Sequence, residues 1–111
     1  MVCTKIEHYN KALKALFQGN NQEAISELQQ QIRENPRYAK PYVLLERVRR
    51  FSGQTDDALG ALKALFDSEI SRREKCAEIS GVPLGSYLGR DPDFVGLVRA
   101  QCGQSNGAPG K

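Results

Sequence analysis

Apolar side chains return every three or four residues along most of this chain, the spacing that gives an α-helix one buried face. From about Thr4 to Gln18 they are Ile6, Tyr9, Leu13, Leu16 and Phe17, and Gly19 ends the segment. A second helix is expected from about Gln22 to Glu34, with Ala24, Ile25, Leu28 and Ile32 on one face. Asn35-Pro36 stops it, because a residue before proline is pushed out of helical geometry. A third begins near Ala39, with Pro41 tolerated in the first turn, where backbone N–H groups have no intrahelical acceptor. Its apolar set is Tyr42, Leu44, Leu45, Val48 and Phe51, and it closes at Ser52-Gly53.

The fourth pattern starts after Thr55 with Ala58, Leu59, Leu62, Leu65, Phe66 and Ile70, and runs on through Cys76, Ala77 and Ile79 to Gly81. No breaker interrupts Thr55 to Ser80, so one long helix is predicted, with Ser68 as the place for a bend. "GVPLGSYLGR", residues 81–90, reads as a loop on its glycines and proline. Asp91-Pro92-Asp93 is a helix start, and a short helix follows to about Cys102 with Phe94, Leu97 and Val98 on one side. Residues 103–111, "GQSNGAPGK", hold no large apolar side chain and read as a disordered tail.

Two repeats compete. The string ALKALF occurs at residues 12–17 and again at 61–66, 49 apart, but a turn follows the first copy and a helical pattern the second. Alanine, leucine and lysine all favour helix, so the echo is cheap. A shift of 34 does better: Gly19 falls on Gly53, Ala24 on Ala58, Ile25 on Leu59, Leu28 on Leu62 and Ile32 on Phe66. "GNNQEAI" then lies over "GQTDDAL", placing Asn21 and Thr55 at expected N-caps with acid in each first turn.

A 34-residue period of two helices and a glycine turn resembles the tetratricopeptide repeat. The resemblance runs from about Lys5 to Ile70. Repeat one supplies Gly19, Ala24, Leu28 and Pro36; repeat two supplies Gly53, Ala58 and Leu62. Repeat two departs from the family with Leu65 where a small residue is usual and Ile70 where proline is usual. Its early aromatic is Tyr42, followed by Leu45, whereas repeat one holds His8 and Lys11 at those places. The match is therefore good in both second helices and poor in the first.

The resemblance implies an all-α fold of antiparallel helix-turn-helix repeats, an α-solenoid fragment. It implies a single domain over 1–102, with repeats at about 5–36 and 39–70 and a capping region at 71–102. Helical repeats cannot bury their apolar faces alone, and about three are usually needed. Either the long fourth helix and the Phe94 helix cap the open end, or a second copy or a partner covers it.

Composition narrows the function. The chain has 111 residues, 40% hydrophobic and 26% charged, which suits one globular domain. No apolar run approaches the length of a membrane span, and the N-terminus lacks a secretory h-region. The three cysteines, Cys3, Cys76 and Cys102, form no C-x-x-C pair, so reduced thiols and a cytoplasmic location are expected. His8 is the sole histidine, which leaves no metal set and no cofactor in view. No serine sits in a G-x-S-x-G elbow, the 81–90 glycines lack a phosphate-loop lysine, and Asp56-Asp57 is explained by the dipole of the helix it starts. No residue constellation supports catalysis, and the expectation is a non-enzymatic interaction protein, an adaptor or a small chaperone.

In the resembled family the first helix of each repeat lines a concave groove. Carried over through the matched glycines, groove positions fall on Ile6, Tyr9, Leu13 and Leu16 in repeat one and on Lys40, Val43, Leu44, Arg47 and Arg50 in repeat two. That gives one apolar wall and one basic wall, suited to a peptide with apolar anchors and some acid. The carboxylate clamp by which some members hold chaperone tails is disfavoured, because its first three places fall on Tyr9, Leu13 and Leu44 and the third repeat is absent. The rival is a nucleic-acid-associated protein using Arg33, Arg37, Lys40, Arg47, Arg49 and Arg50, with Arg72, Arg73 and Lys75 as a second spot. The net charge of +3 is mild for that role, and no aromatic interleaving accompanies the cations. A third reading is a structural subunit that homodimerises.

Overall fold

The structure, a computed structural model, describes residues 6–80 and 92–102. The expected start of helix one at 4–5, Cys3, the 81–90 loop, the Asp91 cap and the 103–111 tail lie outside the described residues. Among the described residues every regular element is α-helical: α1 (Glu7–Phe17), α2 (Asn21–Glu34), α3 (Lys40–Phe51), α4 (Thr55–Asp67), α5 (Arg72–Ile79) and α6 (Pro92–Cys102). None of these helices is long and apolar enough to cross a membrane. The chain divides into two compact units, Met1–Ile70 and Ser71–Lys111.

The first unit is two helical hairpins. His8 and Tyr9, in the first turn of α1, reach Glu27 at the middle of α2 and Gln31 and Glu34 toward its end, so α1 and α2 run antiparallel. Arg49, near the end of α3, lies 3.5 Å from Asp57 in the first turn of α4, which makes that pair antiparallel too. Asn21 at the start of α2 donates from Nδ2 to Ser52 Oγ at the end of α3, 3.3 Å away, and joins the hairpins.

The two hairpin turns share their closing bonds. Gly19 and Gly53 have φ of 75° and 80°, left-handed values that glycine adopts without Cβ strain. The next residue's N–H reaches back over the turn: Asn20 to the Ala15 carbonyl and Gln54 to the Arg49 carbonyl, each at 2.8 Å. The glycine N–H groups donate to Leu16 and Arg50 carbonyls at 3.0 and 3.1 Å. These bonds satisfy carbonyls that a helix end otherwise leaves unpaired.

That geometry corrects the expected N-caps by one residue. The left-handed glycine hands the chain directly to the next helix, so Asn20 and Gln54 occupy the cap positions, and Asn21 and Thr55 are already helical. Asn20 Oδ1 accepts from the Glu23 N–H at 3.1 Å, and its Nδ2 donates to Glu23 Oε1 at 3.0 Å. Gln54 makes no equivalent cap bond.

Close packing rests on small residues at facing positions. Ala12, Ala15 and Ala24 are buried with Ile25, Leu28, Leu45, Val48 and Ala61 in one cluster, which Tyr9, Leu16, Ile32 and Leu44 flank. Ala58 and Leu62 are fully buried in α4, as Ala24 and Leu28 are in α2. One pair of equivalent positions differs in kind: Leu65 is apolar, whereas Gln31 is a buried amide. Ile6 precedes α1 and offers no side-chain cap, so Gln31 Oε1 accepts the Tyr9 N–H at 2.9 Å instead. An amide in α2 thus satisfies a donor that α1 leaves over.

The long fourth helix is corrected as well. It stops at Asp67, where Ser68 turns to ψ 170°. The Ser68 hydroxyl donates to the Leu65 carbonyl at 2.6 Å and accepts the Ile70 N–H at 3.3 Å, giving the backbone a partner outside the helix. A new helix begins with Ser71 as N-cap, its Oγ accepting the Glu74 N–H at 3.2 Å. Ser71-Arg72-Arg73-Glu74 is the S-x-x-E start signal, lying inside an apolar pattern that alone reads as unbroken.

In the second unit α5 and α6 are joined by a disulfide between Cys76 and Cys102, with Cα atoms 5.7 Å apart. This overturns the expectation of reduced thiols: cysteines 26 residues apart meet because the chain doubles back, which spacing in the sequence does not reveal. Arg72 Nε donates to the Gln101 carbonyl at 2.8 Å beside the bridge. Ile79 of α5 and Phe94, Val95 and Val98 of α6 are buried.

Candidate interaction surface

The residues carried over as groove positions do not share one fate. Ile6 stands at the head of α1, 36% exposed. The Tyr9 ring stands edge-on to Tyr38, centroids 5.5 Å apart, and Leu13 is half-buried on the same helix. Lys40 is exposed at the start of α3, and Val43 is buried. Arg50 is withdrawn from the expected basic wall: its Nε lies 2.6 Å from Oε2 of Glu46, which is itself only 1% exposed. Glutamate at that depth needs a cation, and one turn along the helix Arg50 supplies it.

Leu16, Leu44 and Arg47 do come together. With Asn21, Val48 and Phe51 they line a notch of about 240 Å³ between the end of α1, the start of α2 and α3 from Leu44 to its end. Four of these side chains are apolar, one is a neutral amide, one is a cation, and none is an acid. Among the described residues Arg47 has no ion pair or hydrogen bond, whereas Arg49 meets Gln54 at 2.9 Å and Asp57 at 3.5 Å and Arg50 meets Glu46.

Two phenylalanines assigned to apolar helix faces turn out to be exposed. Phe17 is 91% exposed and Phe51 78%. They are the last residues of α1 and α3, each beside its glycine turn and 34 positions apart. Hydropathy alone put them inside. The register shift, which lays Phe17 on Phe51, was the available signal that they share one environment.

A second, larger pocket of about 560 Å³ is lined by Pro36, Arg37, Tyr42, Ala64, Asp67, Ser68 and Glu69. Its Arg37 Nη2 lies 2.8 Å from Glu69 Oε1, and Asp67 adds a second acid to the lining. The Tyr42 hydroxyl donates to the Pro36 carbonyl at 2.8 Å, and burial raises its pKa above the ordinary tyrosine value.

His8 makes a structural clamp. Its Nδ1 is 2.6 Å from Glu27 Oε1 and its Nε2 3.3 Å from Glu34 Oε2, tying α1 to α2. The hydrogen bond to Glu27 raises its pKa above 6.5; partial burial works against this, and the charges of Glu34 and Glu27 add to it. Among the described residues no group of three histidine, cysteine, aspartate or glutamate side chains is placed to hold a metal ion.

No protein-family model, curated protein or solved structure matches this chain.

Proposed function

We propose that the protein is a protein-interaction module, an adaptor or small chaperone built on two tetratricopeptide-like repeats, which docks a partner segment on the side formed by α1 and α3. The observation that carries this reading is the meeting of Leu16, Leu44 and Arg47, three positions carried over from a family groove, in one apolar notch with Phe51. The repeat itself is supported by the matched turns at Gly19 and Gly53 and by the antiparallel hairpins they close. The exposed Phe17 and Phe51 add apolar surface at one end of these two helices, the kind of surface that marks a contact site when it is grouped.

The cations favour a protein partner over nucleic acid. Phosphate-backbone binding needs several basic side chains aligned and available. Here Arg37, Arg49 and Arg50 are engaged with acids, and Arg33 donates to Gln30 at 2.6 Å. Tagged protein used to capture partners from its own cells, with and without nuclease and at low and moderate salt, tests the reading. A defined protein should be retained under all conditions and be lost with Phe51→Ala, a change at an exposed side chain that leaves the fold intact. Recovery that disappears with nuclease would refute it.

A further inference from the structure

We propose that the α1–α3 notch receives an acidic peptide segment, placing one large apolar side chain among Leu16, Leu44, Val48 and Phe51 and a carboxylate on Arg47. This rests on the interaction reading above and adds the chemistry of the ligand. The notch holds about 240 Å³, below the roughly 300–1,000 Å³ of ordinary small-molecule sites. It has room for one large apolar side chain. Its open rim, with Phe51 78% exposed, suits an anchor that arrives as part of an extended or helical chain.

Charge selects what accompanies the anchor. Arg47 stands at the wall with no counter-ion among the described residues, and no acid lines the notch. A guanidinium with its donors unused on an apolar surface is a site for a planar carboxylate, which it can hold by two parallel N–H bonds. The larger pocket makes the contrast: Arg37 is closed onto Glu69 there and Asp67 lines the same wall, so that pocket has no cation left to neutralise an acidic ligand. A single cation beside four apolar side chains matches one anchor and one acid, whereas a nucleic-acid strand would require a row of cations.

The test is an array of short synthetic peptides in which a central leucine or phenylalanine and its flanking glutamates are varied independently, with a single-stranded oligonucleotide as comparison. Peptides with both features should bind, and exchange of the glutamates for glutamine should weaken binding roughly tenfold, as expected for loss of a charge-assisted bond. Arg47→Gln should remove that tenfold preference and leave binding of the glutamine peptides unchanged. Phe51→Ala should weaken both sets alike. Equal binding of acidic and neutral peptides, an unchanged preference in Arg47→Gln, or no binding by any peptide would overturn this inference while leaving docking on α1 and α3 standing. Binding that ignores Phe51→Ala, or preference for the oligonucleotide, would overturn both.

Discussion

Replacing both bridged cysteines, Cys76→Ser with Cys102→Ser, isolates what the disulfide contributes to the second unit. The bridge closes a loop spanning 26 residues. The chain-entropy model assigns a loop of that length about 12 cal/mol/K, or about 3.5 kcal/mol at room temperature. That is large beside the rest of the unit, whose buried apolar side chains among the described residues are Ile79, Phe94, Val95 and Val98. Small units often depend on such staples. Native-state hydrogen exchange is the appropriate assay, because it reports α5 and α6 separately from α1 to α4. Without the bridge, protection in α5 and α6 should fall by a few hundredfold, the factor that corresponds to about 3.5 kcal/mol. Reduction of the unaltered protein should do the same. Protection in α1 to α4 should hold, because those helices belong to the other unit. Unchanged protection in α5 and α6 would refute the entropy argument. A parallel fall in α1 to α4 would refute the confinement of the bridge's effect to the second unit.

Three further outcomes follow from the first unit. His8 has a raised folded pKa, so the stability it contributes is complete below its unfolded value of about 6.5 and is lost as pH rises through the folded value; the melting temperature should decline over that window, and His8→Gln should flatten the profile. Gln31→Leu gives the first hairpin the residue that the second has at Leu65, yet it strands the Tyr9 N–H, so urea denaturation should show a loss of about 1–2 kcal/mol rather than a gain from added apolar burial. Gly53→Ala meets no neighbour within 4 Å but must hold φ near 80°, and thermal melting should reveal a cost of about 1–2 kcal/mol that is purely conformational.

The first three helices of the first unit were legible because each carries its own apolar stripe and a glycine or proline stop, and the start of the fourth followed from the turn at Gly53. Gly19 and Gly53 did most of this work: a left-handed residue is a local demand, and the sequence states it locally. At Ser68 the sequence suggested a bend but not an end, because the apolar pattern runs across it, even though Ser71 and Glu74 spell a helix start. The disulfide was missed for a different reason, since pairing depends on where α6 returns beside α5. The candidate site was half legible. Leu16, Leu44 and Arg47 followed from register, but Arg50 is tied up by Glu46, a buried charge that hydropathy assigns to the surface. Phe17 and Phe51 reverse that error, being apolar residues that the ends of α1 and α3 leave outside.

The helices that pack most closely, α1 with α2, α2 with α3, α3 with α4 and α5 with α6, are all neighbours along the chain. Contacts between such neighbours require closing only short loops, and folding speed across small proteins rises as contacts become more local. Helical proteins rich in such local contacts fold in microseconds to milliseconds. Thiol oxidation takes seconds to hours. On these scales the α1–α2 and α3–α4 hairpins form long before Cys76 and Cys102 are joined.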